Sequence, residues 1–141
     1  MYGSTEDDQD YAANQVILSN GLSSSDAGGN IQSATLWVDS PNISFYNILI
    51  ENTAGDRGPS HALSTGASYI GFYGCSLTGW QDTIWIEDPD VVFKNSYIEG
   101  AVDFIYGADG NIWFESCDIG LSREAGGYIT ASGRDEQDPW W

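Results

Sequence analysis

The chain has 141 residues, of which 41% are hydrophobic and 13% aromatic, so it can bury the core of one domain and is not globally disordered. Its formal net charge of -17 at pH 7 argues against nucleic acid and anionic membranes as partners. No apolar window of about 18 residues predicts a membrane span, and the first 15 residues lack the pattern of a signal peptide.

In chain order, residues 1–14 are predicted to be a polar lead-in with mobile outer residues. A strand is predicted at residues 16–18, and the Gly/Ser-rich stretch 19–30 is predicted to be a long loop. Another strand is expected at residues 34–38, ended by the turn residues 39–42. Seventeen glycines and short β-branched or aromatic runs indicate a turn-rich, all-β protein.

An internal repeat then decides the fold class. Similar segments begin at four phenylalanines, Phe45, Phe72, Phe93 and Phe114, at intervals of 27, 21 and 21 residues. Periods of this size are typical of solenoids, in which each repeat stacks on its neighbours to bury its apolar side. The consensus of leucine-rich repeats is missing, so we predict one parallel β-helix domain over residues 1–141, with about five coils.

The repeat also predicts the state of the two cysteines. Cys75 and Cys117 hold the same position in their repeats, and Ser96 holds it in the repeat between them. Two coils separate the cysteine Cα atoms by about 9 to 10 Å, beyond the roughly 7 Å limit for a disulfide. We therefore expect free, buried thiols.

Two aspartates share one phase of the repeat. Asp82 follows Phe72 by ten residues, as Asp103 follows Phe93. Stacked coils place their backbones about 5 Å apart, so the two carboxyls should share a proton and one pKa should rise. One group can then act as base or nucleophile while the other donates a proton. The alternative is that both are ordinary turn aspartates.

The neighbours of the pair favour chemistry on a sugar. Gln81 offers an amide donor suited to an oxyanion. The flat side chains that could pack against sugar rings are those of Trp80, Trp85, Phe104 and Tyr106. Aromatic residues in a β-coil also serve as core. Trp85 is the best binding candidate, because we expect it in an exposed loop after the first aspartate.

Three motifs carry a family resemblance: GWQDTI at residues 79–84, YIEGAVDFIYG at residues 97–107, and ITASGR at residues 129–134. The second motif is highly specific. On these motifs the chain resembles the pectin methylesterases of carbohydrate esterase family 8. Residues 43–134 look most like the fungal branch.

The resemblance implies a right-handed parallel β-helix, secreted, that hydrolyses methyl esters of pectin (polygalacturonate) without a metal or other cofactor. It implies that Asp103 is the nucleophile, that Asp82 first protonates methanol and then activates water, and that Gln81 stabilises the oxyanion. Arg134, in the third motif, joins the four aromatic residues as a substrate-binding candidate.

The chain departs from the family pattern before the first aspartate. Pro59 stands where the family usually has a second glutamine, so half of the oxyanion site is missing or is replaced by Ser60 or His61. A lone His61 is more often a loop or surface residue than a catalyst.

A second departure concerns an Arg-Pro-Trp motif that family members carry downstream. The sequence reaches Trp141 before that motif and corresponds to about half of a family catalytic domain, so we expect an exposed β-helix edge. Arg123 and Arg134 are the candidates to replace the missing cation.

Two other function classes stay open. One is a non-catalytic β-helix that binds polysaccharide, favoured by the missing glutamine and arginine. The other is a retaining glycoside hydrolase, since two carboxyls about 5 Å apart also suit that reaction. Methanol as product indicates an esterase, and new reducing ends indicate a glycosidase.

Overall fold

The computed structural model describes residues 1–87, 90–107 and 110–133. Within them lie fourteen strands, one short α-helix, α1 (Ser24–Ala27), and two 3-10 helices, Tyr11–Ala13 and Ile31–Ser33. The strands are β1 (Val16–Asn20), β2 (Leu36–Val38), β3 (Ile43–Tyr46), β4 (Ile48–Asn52), β5 (Leu63–Thr65), β6 (Ile70–Tyr73), β7 (Ser76–Thr78), β8 (Ile84–Ile86), β9 (Asp90–Lys94), β10 (Tyr97–Gly100), β11 (Ile105–Tyr106), β12 (Asn111–Glu115), β13 (Asp118–Leu121) and β14 (Thr130–Ala131).

The strands form three parallel sheets, and the chain visits them in rotation. Sheet 1 has the order β1-β4-β7-β10-β13, sheet 2 the order β2-β5-β8-β11-β14, and sheet 3 the order β3-β6-β9-β12. Each coil therefore adds one strand to every sheet, and the described residues form between four and five coils. The predicted right-handed parallel β-helix is confirmed.

The phenylalanine repeat is the register of sheet 3. Phe45 pairs with Phe72, Phe72 with Phe93, and Phe93 with Phe114, so the intervals seen in the sequence are the lengths of successive coils. Their rings stack inside the helix with centroids 5.0, 5.0 and 5.2 Å apart. A slip of one residue would turn the whole row outward, so burial of this row fixes the register.

The cysteine prediction is confirmed in part. Both thiols are free. Cys75 is buried, and its Sγ donates to the carbonyl of Phe45 at 3.6 Å. Cys117 is only half-buried, contrary to the expectation, because no described coil stacks beyond the one that carries it.

Two predictions for the N-terminal third differ from the structure. The lead-in adds to the edge of sheet 3: Tyr2 bridges Tyr46 in parallel, and the two rings stack 4.3 Å apart. The stretch 19–30, expected as a loop, begins inside β1 and contains α1. That turn of helix forms because Ser23 and Asp26 make a capping box at its start. No helix in the described ranges is long and apolar enough to cross a membrane.

Candidate active site

The 21-residue coil length places three titratable residues in one column. Leu63 pairs with Ile84 and Ile84 with Ile105, so His61, Asp82 and Asp103 are equivalent positions of three successive coils. Backbone hydrogen bonds keep these coils in contact at the column itself: the amide of Ser60 donates to the carbonyl of Gln81 at 3.0 Å, and that of Asp82 to the carbonyl of Val102 at 3.1 Å. The predicted stacking of the two aspartates is thus present.

A glycine and a buried phenylalanine shape the turn that carries Asp103. A Cβ at position 100 would overlap the side chain of Phe104, so only glycine lets this ring fold underneath the turn. Phe104 is fully buried in the core. It therefore cannot contact a sugar, and its prediction as a substrate-binding residue is wrong. Its role is to hold the Asp103 turn against the coils.

The environment of the two carboxyls separates their roles. Asp82 and Asp103 are both half-buried. Burial, and then the negative charge of Asp103, raise the pKa of Asp82 to about 6. Two neighbouring carboxyls with one proton between them are expected to behave in this way. Asp82 is therefore the member of the pair suited to donate a proton near neutral pH.

Gln81 lies in the turn directly before Asp82, and its backbone forms a bridge with Val102 on the next coil. The residue is half-buried. None of the described residues hydrogen-bonds to its carboxamide. The amide N–H groups are thus available to a ligand beside the aspartate pair.

Two aromatic side chains form a wall on the outer face of sheet 2. Trp85 on β8 pairs in register with Tyr106 on β11, and their rings stack with centroids 6.2 Å apart and an angle of 12°. Trp85 was expected in an exposed loop, but it lies in a strand and is half-buried, because Tyr106 covers one of its faces. Trp80 is also half-buried, and its carbonyl accepts the amides of Ala101 and Val102.

His61 was expected to be a loop or surface residue. It lies outside the strands, just before β5, but its exposed fraction is 0%, so it is not on the surface. Its Nε2 lies 2.7 Å from the hydroxyl of Tyr106, and its Nδ1 lies 2.6 Å from the hydroxyl of Ser64. Burial lowers the pKa of this imidazole to about 4, so it is neutral at physiological pH. The signal that could have found it is its distance of 21 residues from Asp82.

The other candidates contribute less. The hydroxyl of Ser60 is buried and has no hydrogen-bond partner in the described chain. Arg123 is exposed, donates to the carbonyl of Gly126 at 3.4 Å, and makes no ion pair with Asp103. Arg134 lies outside the described residues. Among the residues that the structure describes, no three His, Cys, Asp or Glu side chains are grouped to hold a metal.

Fold and site together define a class of protein: a parallel β-helix whose outer face carries two stacked aspartates beside an aromatic wall. A comparison with protein families narrows this class, since the pectinesterase model matches residues 10–139. The chain belongs to the pectinesterase family, and the resemblance seen in its motifs is confirmed.

The relatives confirm the fungal type. A probable pectinesterase A of Aspergillus niger is 44% identical over 142 residues, which are 100% of this chain and 42% of that protein. A crystal structure of the Aspergillus niger pectin methylesterase matches with a TM-score of 0.88 and 41% identity, over 96% of this chain and 44% of that one. The pectin methylesterase from carrot matches with a TM-score of 0.79 and 27% identity, over 92% of this chain and 41% of that one. The chain thus spans about two fifths of the length of the curated relatives it matches.

Proposed function

We propose that this site hydrolyses the methyl esters of polygalacturonate, and that the protein acts outside the cell on pectin. Membership of the pectinesterase family supports the substrate and the secretion. The observation that carries the proposal is the placement of Asp82 and Asp103 at equivalent positions of adjacent coils, and the pKa of Asp82, raised to about 6 by burial and by that neighbour, supports it. Ester hydrolysis by a carboxylate needs such a proton donor beside the nucleophile.

The first half of the reaction transfers the acyl group to the protein. A carboxylate oxygen of Asp103 attacks the ester carbonyl carbon and gives a tetrahedral oxyanion. Protonated Asp82 then gives its proton to the methoxy oxygen as the carbon–oxygen bond breaks. Methanol leaves, and the galacturonyl group stays on Asp103 as an anhydride.

The second half restores the site. Asp82, now a carboxylate, takes a proton from water while the water oxygen attacks the galacturonyl carbonyl carbon. The bond to Asp103 breaks, and Asp103 leaves as a carboxylate. The product is a free galacturonic acid group, which then loses its proton to solvent, and no cofactor enters the atom balance. The carboxamide of Gln81 donates to the oxyanion in both halves, which is worth about 10²-fold or more in rate for one such donor.

The net charge of the protein favours binding of the neutral methyl ester over binding of the negatively charged product. A formal charge of -17 repels de-esterified polygalacturonate, whereas methyl-esterified stretches carry no charge. The same charge opposes binding to nucleic acid or to an anionic membrane. Product release is therefore favoured electrostatically.

The proposed function is tested by identifying the reaction product. Incubation with highly methyl-esterified polygalacturonate should release methanol without new reducing ends, and Asp103→Ala should abolish the release. Gln81→Ala should lower it about 10²-fold. The matched control is Asp56→Ala, an exposed loop aspartate that should keep the parent rate. Parent methanol release by Asp103→Ala would contradict the mechanism.

The second candidate is a β-helix that binds pectin without turnover. It is favoured by Pro59, which stands in the position of the second glutamine and has no side-chain donor. Retained binding of the polymer with no methanol would select this candidate. New reducing ends would instead select a glycoside hydrolase.

A further inference from the structure

We propose that His61 is a positioning residue that holds Tyr106 across the Asp82 coil and so fixes the aromatic wall of the site. The predicted effect on substrate binding rests on the proposed function. The positions of the His61 and Tyr106 side chains rest on geometry alone.

The hydrogen bond between these residues spans two coil steps. Tyr106 belongs to the coil of Asp103, and His61 to the coil before that of Asp82. A separation of 2.7 Å between Nε2 and the phenol oxygen requires the Tyr106 side chain to lean along the helix axis, over the intervening coil. It therefore passes beside Asp82. Burial, and in second place the negative charge of Asp82, raise the pKa of the Tyr106 phenol.

Both nitrogens of the imidazole are used. A neutral imidazole has one donor and one acceptor nitrogen, and here each has a hydroxyl partner, Ser64 at Nδ1 and Tyr106 at Nε2. Water cannot replace either partner, because the ring is fully buried. Rotation of the ring would leave buried polar groups unpaired, so the imidazole is a fixed anchor for the phenol.

The anchor also holds Trp85. The imidazole centroid lies 5.8 Å from the Trp85 ring and 5.6 Å from the Tyr106 ring, while Trp85 and Tyr106 stack on each other. The three rings brace one another in a single outer-face cluster. A wall held in its bound geometry saves the ordering cost that a free side chain incurs on ligand binding.

His61 does not act as acid or base in this arrangement. Its exposed fraction of 0% keeps substrate away from the ring, and both nitrogens are already bonded. Its loss should therefore weaken substrate binding more than the chemical step.

The test combines two side-chain changes that remove the same bond. Tyr106→Phe keeps the ring and removes the hydroxyl, whereas His61→Leu removes the anchor. Calorimetry with a methyl-esterified oligogalacturonide should give a Kd about three- to tenfold higher for each, the usual worth of one hydrogen bond. The double variant should bind no more weakly than the single ones, because both lose one shared interaction. In methanol release, KM should rise while kcat stays within about twofold.

Two variants serve as controls. His61→Gln can still reach the phenol through its carboxamide, so it should recover most of the affinity lost in His61→Leu. Tyr73→Phe makes the same change on the outer face of sheet 3, away from the site, and should keep the parent Kd. A purely structural His61 would lower the Tm without this rescue and without the non-additive double variant.

A spectroscopic readout needs no ligand. The chain has one histidine, so its ring ¹⁵N signals are unambiguous. The Nε2 signal should change in Tyr106→Phe and not in Tyr73→Phe. An unchanged Nε2 signal in Tyr106→Phe, or equal Kd values for all His61 variants, overturns the proposal. If the signal changes but the parent chain neither binds the ligand nor releases methanol, the proposed function fails and the placement of Tyr106 by His61 holds.

Discussion

Asp82 and Asp103 share a left-handed backbone conformation, with φ angles of 61° and 50°, at equivalent positions of adjacent coils. This region costs most L-residues about 1 to 2 kcal/mol, and Asp and Asn tolerate it best because their short side chains bond locally. Such conformations cluster at functional sites. The aspartates thus serve the turn as well as the proposed chemistry, and substitutions can separate the two roles.

Asparagine and alanine should differ at position 103. Asp103→Asn keeps a residue suited to positive φ, so its free energy of unfolding should stay within about 0.5 kcal/mol of the parent. Asp103→Ala should lose about 1 kcal/mol more. Neither variant should release methanol, because neither has the attacking carboxylate. Urea unfolding and a methanol assay measure both effects, and an alanine variant as stable as the asparagine one would show that the turn is unstrained.

Asp82→Asn should stabilise the protein at neutral pH but not at acidic pH. The carboxyl has a pKa of about 6 when folded against an ordinary value of 3.8, so its raised pKa favours folding fully below about pH 4, and this contribution is lost as the pH rises through 6. The gain at pH 7 should be about 1 kcal/mol, after discounting the shift for the exposed part of the group. Unfolding at pH 4 and pH 7 tests this, with Asp56→Asn as control. A gain of equal size at both pH values would exclude a titration effect.

Turnover should have an alkaline limb near pH 6. The first step needs protonated Asp82, whose pKa is raised to about 6 by burial and by Asp103. Above that pH, kcat/KM should fall toward tenfold per pH unit as the proton donor is lost. Initial rates of methanol release across pH 4 to 9 measure the limb. A rate that stays flat from pH 6 to 9 would remove Asp82 from the role of acid.

The phenylalanine row should show a gradient of stability. Phe72 is fully buried and stacked on both faces, so Phe72→Ala should cost about 3 to 5 kcal/mol, a large fraction of a typical folding free energy. Phe114 is half-buried and stacks on Phe93 alone among the described rings, so Phe114→Ala should cost less. Denaturant unfolding compares the two variants. Equal losses would mean that the last coil is packed as tightly as the middle ones.

The two thiols should react at different rates in the native protein. Burial raises the pKa of both, but Cys75 is fully buried and Cys117 only half-buried. A thiol reagent should therefore modify Cys117 first, and Cys75 only as fast as the protein opens. Denaturing, non-reducing conditions should reveal both thiols, and Cys117→Ser should leave one. A single reactive group in the denatured parent would contradict free cysteines.

The sequence by itself determined the fold and the phase of the aspartates. The coil length can be read from the sequence alone, as the spacing between four phenylalanines: Phe45, Phe72, Phe93 and Phe114. Because stacked coils repeat in register, the same spacing placed Asp103 against Asp82. The sequence motifs around both residues were sufficient to indicate the family.

Only the tertiary structure decided what each aromatic or titratable side chain does. Phe104 went into the core, Trp85 became half-buried, and His61 became a fully buried anchor for Tyr106. Each outcome depends on whether a side chain turns into the helix or leans across neighbouring coils, and residues far apart in sequence set that choice. The raised pKa of Asp82 has the same origin, because burial by several coils, more than the charge of one neighbour, keeps its proton in place.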